Sequence, residues 1–328
     1  MKRTNGTWAV LSAVGLFAAM ASAQVNNPEV EANDAKATAT VANSGGTGMA
    51  NGDYITGNSI SASTTGLDYF RVRTAAAPLA IYRHRLVITT GGTAGHTGTI
   101  RGLNQTAGVP GTTDTTIQTS STATTPPRFN QWYGFGKGEE IYYRVTGTAS
   151  TTADYTSTLE TTQVVPVSGP NVPAGDVVIT TMAQGHTTDT DMWLYDGNLN
   201  AIVDAGNDDE SIAGGGGGTT LQSRLTRNLT GGTYYLAISN FNLCNNLGSP
   251  TDDDYRTGAV LDFPDAAANT STTTNANVTV SIGGVQVPVT RAGQFDVVWI
   301  QFTVDTLTNP LANGSATPAT NLINDGPA

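Results

Sequence analysis

The sequence is poor in the residues that most chemistry and most helices need: one cysteine, three histidines, and 12% charged residues in 328. Cys244 alone rules out a disulfide within the chain, so stability must come from core burial or bound ions. Two readings of that thiol stand: a small, half-buried apolar residue beside a loop, or a reactive group free to pair between chains. His84, His96 and His186 form no His-Glu-x-x-His pair, and no Gly-x-Ser-x-Gly elbow occurs, so the usual zinc-peptidase and hydrolase signatures are missing. His186 precedes Asp189, with Ser211 and Ser223 further on, but a triad requires mutual contact and their sequence proximity reads as chance. No pair of carboxylates stands out at a spacing that would mark a glycosidase. Lys and Glu are too scarce for long solvent-facing helices, and no stretch after the first residues keeps a 3.6-residue period.

Basic residues are also few, 15 against 26 acidic. A surface with that balance repels nucleic acid and anionic membranes and attracts divalent cations. The one long apolar run is at the start. Lys2 and Arg3 give a positive n-region, Trp8 to Met20 an apolar h-region, and Ala21-Ser-Ala23 a small-residue cleavage site, so residues 1–23 read as a signal peptide. The run is too short for a convincing membrane anchor, and Gln24 at the new N-terminus is not the cysteine of a lipoprotein. The expectation is a secreted protein, extracellular, on the cell surface or periplasmic. Cleavage leaves 13 basic and 26 acidic residues, a net charge of −13.

What is abundant is threonine, glycine and period-two alternation. Thr is β-branched and fits a pleated sheet. Leu67-Asp-Tyr-Phe-Arg-Val-Arg73, Arg83 to Thr90 and Glu140 to Thr146 alternate apolar and polar residues, the mark of half-buried antiparallel strands. The second half repeats the order: Leu86–Thr90 matches Val177–Thr181 at an offset of 91, and Ile141–Val145 matches Tyr234–Ile238 at an offset of 93. The repeat implies an all-β fold of tandem antiparallel β-sandwich modules, at residues 24–163 and 176–305, joined by a Pro-containing linker at 164–175 and followed by a disordered tail at 306–328. Phe295 to Val304 looks like Leu67–Arg73 again, and either completes the second sandwich or opens a third unit. Gly108 to Pro127 reads as a long loop or irregular edge. Gly134-Phe-Gly-Lys-Gly138 lacks phosphate-loop spacing and reads as a hairpin turn.

The stretch from Asp176 to Asn240 holds the sharpest candidate site. Asp189, Asp191 and Asp196 flank a strand, and Asn207, Asp208, Asp209 and Glu210 follow in a loop. Crowded carboxylates repel, and calcium, which takes six to eight oxygen ligands, would relieve that. Ordinary Asx-turn chemistry explains the same residues without an ion. Asp252-Asp-Asp254 is a weaker second candidate. Gly214 to Gly218 reads as a flexible loop lying over the acidic residues. In the first half, Gly102 to Asp114 offers only Asp114, so the carboxylates belong to one copy. Trp132, Tyr133 and Phe135, with Trp193 and Tyr195, either pack in the core or at a sheet edge, as most aromatics in β-sandwiches do, or form a sugar-stacking platform.

Three motifs together resemble a known family. Glu29-Val-Glu-Ala-Asn-Asp34 with Ala37-Thr-Ala39, then Leu67-Asp-Tyr-Phe-Arg-Val72, then Asp191-Met-Trp-Leu-Tyr-Asp196 with Asn207-Asp-Asp209 and Gly231 to Leu236, are similar in order to the bacterial pre-peptidase C-terminal (PPC) domains. The resemblance implies a jelly-roll-like sandwich in two diverged copies. It also implies a non-catalytic accessory role in secretion or in attachment to an extracellular protein or polysaccharide, with calcium as a stabilising ion. No peptidase domain accompanies the modules, which favours an independent binding or structural protein. The alternative is a secreted carbohydrate-binding module or adhesin, and an undetected hydrolase comes last.

Overall fold

The computed structural model describes residues 23–58, 66–90, 95–120, 128–147 and 153–306. The expected signal peptide and tail therefore lie almost wholly outside the described residues. Within them the chain is all β, with twenty-four strands and two single 3-10 turns.

The first sandwich pairs two sheets. Sheet A runs in the order β1 (Asn26–Pro28), β3 (Tyr54–Asn58), β10 (Asp154–Val164), β5 (Ile81–Thr90), β8 (Phe129–Gly134), β19 (Ala266–Asn269) and β17 (Leu243–Cys244). Sheet B runs β2 (Thr40–Ala42), β4 (Leu67–Arg73), β9 (Glu140–Thr146), β6 (Thr97–Thr106) and β18 (Gly258–Val260), with β7 (Val109–Thr119) also on β6. Phe70 and Val72 from β4, Ile141, Tyr143 and Val145 from β9, and Leu86, Ile88, Trp132 and Leu159 from sheet A meet in one core. The alternation read in the sequence points these side chains inward.

The second sandwich repeats that order. Sheet C is β11 (Val167–Val172), β24 (Val298–Val304), β16 (Gly232–Asn240), β13 (Thr190–Tyr195) and β14 (Ala201–Asn207). Sheet D is β15 (Arg224–Leu229), β12 (Gly175–Thr180), β21 (Val280–Ile282) and β22 (Val285–Val287), and β20 (Ala276–Asn277) pairs β23 (Thr290–Arg291) beside them. Position for position, β11-β24-β16-β13-β14 corresponds to β2-β4-β9-β6-β7. The counterpart of β4 has moved to the end of the chain as β24, which pairs β16 antiparallel from Gly232↔Val304 to Ile238↔Val298. The strand at 298–304 thus completes the second sandwich and opens no third unit.

Three expectations change. Residues 167–172, read as linker, form β11, which pairs parallel with β24, because an exposed edge there accepts another strand. Residues 109–119 form an edge strand on β6 whose register shifts twice, the irregular edge rather than the loop. The turn after Gly134 is not a hairpin: β8 lies in sheet A and β9 in sheet B, so the chain turns a corner between sheets. There Gly136 and Gly138 take positive φ, and the Glu139 carboxylate accepts from Phe135 N and Lys137 N.

The halves are also not separate beads. Met192 and Leu194 of β13 enter the second core, whereas Trp193 and Tyr195 point the other way. They join Trp299 and Ala237 of sheet C against Ile81, Tyr133 and Phe135 of sheet A in a third core. Sheet C is covered on both faces, and all six residues of β13 are buried. Four sheets stack in the order B, A, C, D. In addition, an arm at residues 241–269, inserted between β16 and β20, supplies β17, β18 and β19 to the sheets of the first sandwich. Its Cys244, Leu261, Ala266 and Ala268 sit in the first core.

Candidate cation site

The antiparallel pairing of β13 with β14 sets Met192 opposite Asn207, so the residues before Met192 and after Asn207 lie at one end of sheet C. This brings together acids 20 positions apart in sequence: one carboxylate oxygen each from Asp189, Asp208 and Asp209 lies within 4.8 Å of the others. Asp191 shares the face of Trp193 and Tyr195 by the period of two, and so points toward the arm. Its Oδ2 accepts from Leu243 N at 2.6 Å.

The arm returns a fifth carboxylate. Asp253 is buried, and its Oδ1 accepts from Asp209 N and from Tyr255 N, both at 3.2 Å. Asp191, Asp208 and Asp253 line one polar cavity of about 20 Å³, with Gln105 of β6, Trp193, Asn207 and Cys244 on its walls. That is room for one ion or one water. Asp208 is 5% exposed and no donor reaches its Oδ1.

Burial, then the neighbouring carboxylates, raises Asp191 and Asp208 well above the usual carboxylate range. Burial is also the first cause for Asp253, pushed up to about 7, and for Asp209, pushed up to about 6 with Asp189 and Asp254 adding to it. Burial raises Asp189 as well. Without an ion, these groups resist full ionisation together.

Two residues expected in the cluster behave differently. Asp196 sits at the far end of β13, where its carboxylate accepts from Asn198 N, Asn200 N and Asn200 Nδ2, all at 2.9 Å. That is Asx-turn chemistry, and these bonds lower its pKa despite partial burial. Asn207 lines the cavity, but its side chain braces the loop: Oδ1 accepts from Arg224 N at 2.5 Å and Nδ2 donates to Asp209 O at 3.1 Å. The glycine run 214–218 does not cover the cluster. It wraps Glu210, whose carboxylate accepts from Gly218 N, Thr219 N and Thr220 N at 2.8 to 3.0 Å. A Cβ at Gly216 would strike Glu210 Oε2, which accounts for glycine there. The run 252–254 splits in role: Asp252 forms a two-pronged pair with Arg227, at 2.6 and 2.9 Å, while Asp253 turns into the cavity.

The aromatic platform dissolves. Trp132 is fully buried in the first core, and Phe135, Tyr133, Trp193 and Tyr195 are buried because the stacking of sheets A and C covers what a lone sandwich would expose. His84 is buried against Trp132, ring centroids 5.3 Å apart, and burial lowers it to about 4. His186 bonds Thr279 O and Thr188 N. Ser211 Oγ donates to Asp252 O, and Ser223 Oγ to Thr190 O. Each is held in a structural bond. Cys244 is fully buried, deeper than the half-buried reading, and burial raises its thiol far above its ordinary value.

The first half has an acidic cluster of its own, at a place the strand comparison did not inspect. Glu29, Glu31 and Asp68 each bring one oxygen within 4.8 Å of the others. Asp68 accepts from Tyr155 Oη at 2.8 Å and is pushed up to about 7, chiefly by burial. No donor reaches Asp68 Oδ1 or Glu29 Oε2. So carboxylates converge in both halves of the chain.

At the second-half cavity the carboxylate oxygens favour a hard cation. Zinc prefers nitrogen and thiolate, but no histidine lines the cavity and Cys244 is its one soft donor. No protein-family model matches the chain, and a search of curated proteins found no significant match.

Proposed function

We propose that this is a secreted, non-catalytic β-sandwich protein of the PPC-like kind, two diverged copies fused, acting in attachment to an extracellular protein or polysaccharide or in extracellular structure. Calcium stabilises it at clustered carboxylates. One observation carries the reading: the side chains that catalysis or sugar stacking would use are consumed in building the stack. The aromatics fill the first and third cores, His84 stacks on Trp132, and His186 and the serines brace loops. Among the buried polar atoms without a partner are three carboxylate oxygens, Glu29 Oε2, Asp68 Oδ1 and Asp208 Oδ1, and such oxygens bind cations.

The test has two parts. The mature protein, incubated with intact cells and insoluble polysaccharide of its producer, is expected to sediment with one of them. Melting in 10 mM calcium and in chelator is expected to differ by several degrees. Failure to sediment together with turnover of a peptide or glycoside substrate would replace the attachment role, and equal melting temperatures would remove calcium.

A further inference from the structure

The cavity at the end of sheet C joins three parts of the chain that are far apart in sequence. Asp191 and Asp208 come from the second sandwich, Gln105 from the first, and Asp253 from the arm. The arm is the only covalent segment of the second half that supplies strands to the first-half sheets among the described residues. Its hold near Asp253 consists of a few long bonds: Asp209 N to Asp253 Oδ1 at 3.2 Å, Asp254 N to Asp209 O at 3.2 Å, and Asn207 Nδ2 to Asp252 O at 3.4 Å. Two contacts at Asp252 are stronger: its pair with Arg227 and the bond its carbonyl accepts from Ser211 Oγ at 2.6 Å. Three buried carboxylates facing one cavity, without a cation between them, push the arm away from the sheet.

We propose that a divalent cation of the calcium class sits in this cavity between Asp208 and Asp253, with Asp191 beside it and Asp189 and Asp209 at its mouth, and so staples the arm to the second sandwich. The inference rests on the calcium reading above and adds the arm to it. Two independent observations carry it. Asp208, 95% buried by its 5% exposure, lines the space and has Oδ1 with no donor in reach. The space itself, about 20 Å³, is of ionic size. Hard-cation coordination supplies what Asp208 lacks, and drawing Asp253 into the same shell fixes the arm. Cys244 lies both on the wall of the cavity and in the first core, so release of the arm uncovers a thiol that is 1% exposed when the arm is docked.

The experiment uses the full mature protein and terbium as the probe, excited through the indole of Trp193, which lines the cavity. Terbium luminescence is expected, displaced by calcium, abolished in Asp208→Asn and weakened about tenfold or more in Asp253→Asn, on the scale of losing one partner of a metal site. Asp196→Asn, in its separate turn, keeps wild-type affinity. In parallel, alkylation of Cys244 is expected to be slow in calcium and at least about tenfold faster in chelator, while amide exchange in β12 stays unchanged, which marks local release of the arm rather than unfolding. Near-ultraviolet circular dichroism in chelator verifies that each variant is folded. Terbium affinity unchanged in Asp253→Asn, or Cys244 reactivity indifferent to chelator, overturns the staple and leaves calcium at Asp189, Asp208 and Asp209 standing. A wild-type protein that binds neither terbium nor calcium overturns both.

Discussion

Trp299 is the residue whose removal tests the four-layer stack most directly. Its ring lies 5.1 Å from that of Tyr195, 5.5 Å from Phe135 and 5.8 Å from Tyr133, so it touches both sandwiches at once. Opposite it on β16 stands Ala237, whose small side chain leaves the ring its room. Trp299→Ala empties a fully buried site between two sheets that cannot collapse inward, which costs about 3–5 kcal/mol. The three aromatic contacts, worth about 0.5–1.5 kcal/mol each beyond burial, place it at the upper end. Trp299→Phe is expected to cost far less, about 1–2 kcal/mol. It keeps an aromatic ring and removes an indole N–H that no acceptor reaches, which recovers part of the lost packing. The assay is calorimetry of the mature protein. The wild type is expected to melt in one transition, with Trp299→Ala lowered by roughly 10 °C at about 2–4 °C per kcal/mol. Two separate transitions in the wild type, or a Trp299→Ala shift confined to one of them, would show the halves folding as independent beads and refute the third core.

Other outcomes follow from the same geometry. His84 is held neutral by burial, at about 4 against an ordinary 6.5, so the unfolded chain takes up its proton first. That contribution to stability is full above pH 6.5, is lost as pH falls toward 4, and amounts to about 3 kcal/mol; His84→Gln is expected to flatten this part of a stability–pH curve in urea titrations. Asp68 has the opposite sign: with its pKa up at about 7, stability in chelator falls as pH rises from about 4 to 7, and Asp68→Asn should remove that slope. A Cβ at Gly206 would run into the Trp193 ring, so Gly206→Ala is expected to cost about 1–3 kcal/mol and to perturb tryptophan fluorescence. With an affinity of the order of 10⁻⁴ to 10⁻³ M, typical of extracellular modules, 10 mM calcium is expected to add about 2 kcal/mol, and flat melting curves across a calcium titration would exclude a structural ion.

The sequence was most legible where one strand faces one core. Leu67–Arg73 and Glu140–Thr146 alternate cleanly, and the structure pairs them in register, Phe70 opposite Tyr143. Phe295 to Val304 resembled Leu67–Arg73 because β24 occupies the place of β4, although the chain reaches it last. At β13 core packing and a sugar platform both stood open, because a strand covered on both faces loses its alternation. Met192, Trp193, Leu194 and Tyr195 are all apolar, and no local pattern distinguishes a sugar platform from a second core when the covering sheet is built from distant strands. The linker at 164–175 failed for a related reason: its prolines interrupt an edge strand, where Pro is tolerated, as readily as they mark a hinge.

The acidic site shows the same limit in sharper form. Asp189, Asp208 and Asp209 could be grouped from sequence because one antiparallel pairing, β13 on β14, joins their segments, and a strand–turn–strand stretch suggests that pairing by itself. Asp253 could be seen only as part of an acidic run, because it reaches the cavity by way of an arm whose anchoring strands belong to the other half of the molecule. Nothing local specifies that route: β17 and β18 are two and three residues long, too short for a period to show. Asp196, by contrast, lies in the same motif as Asp191 and is excluded by simple geometry, since five residues of strand at about 3.3 Å each hold it some 16 Å away. Motif membership grouped the wrong pair. The acid that shares a motif with Asp191 spends its carboxylate on a turn, and the acid that shares its cavity lies 62 positions along the chain.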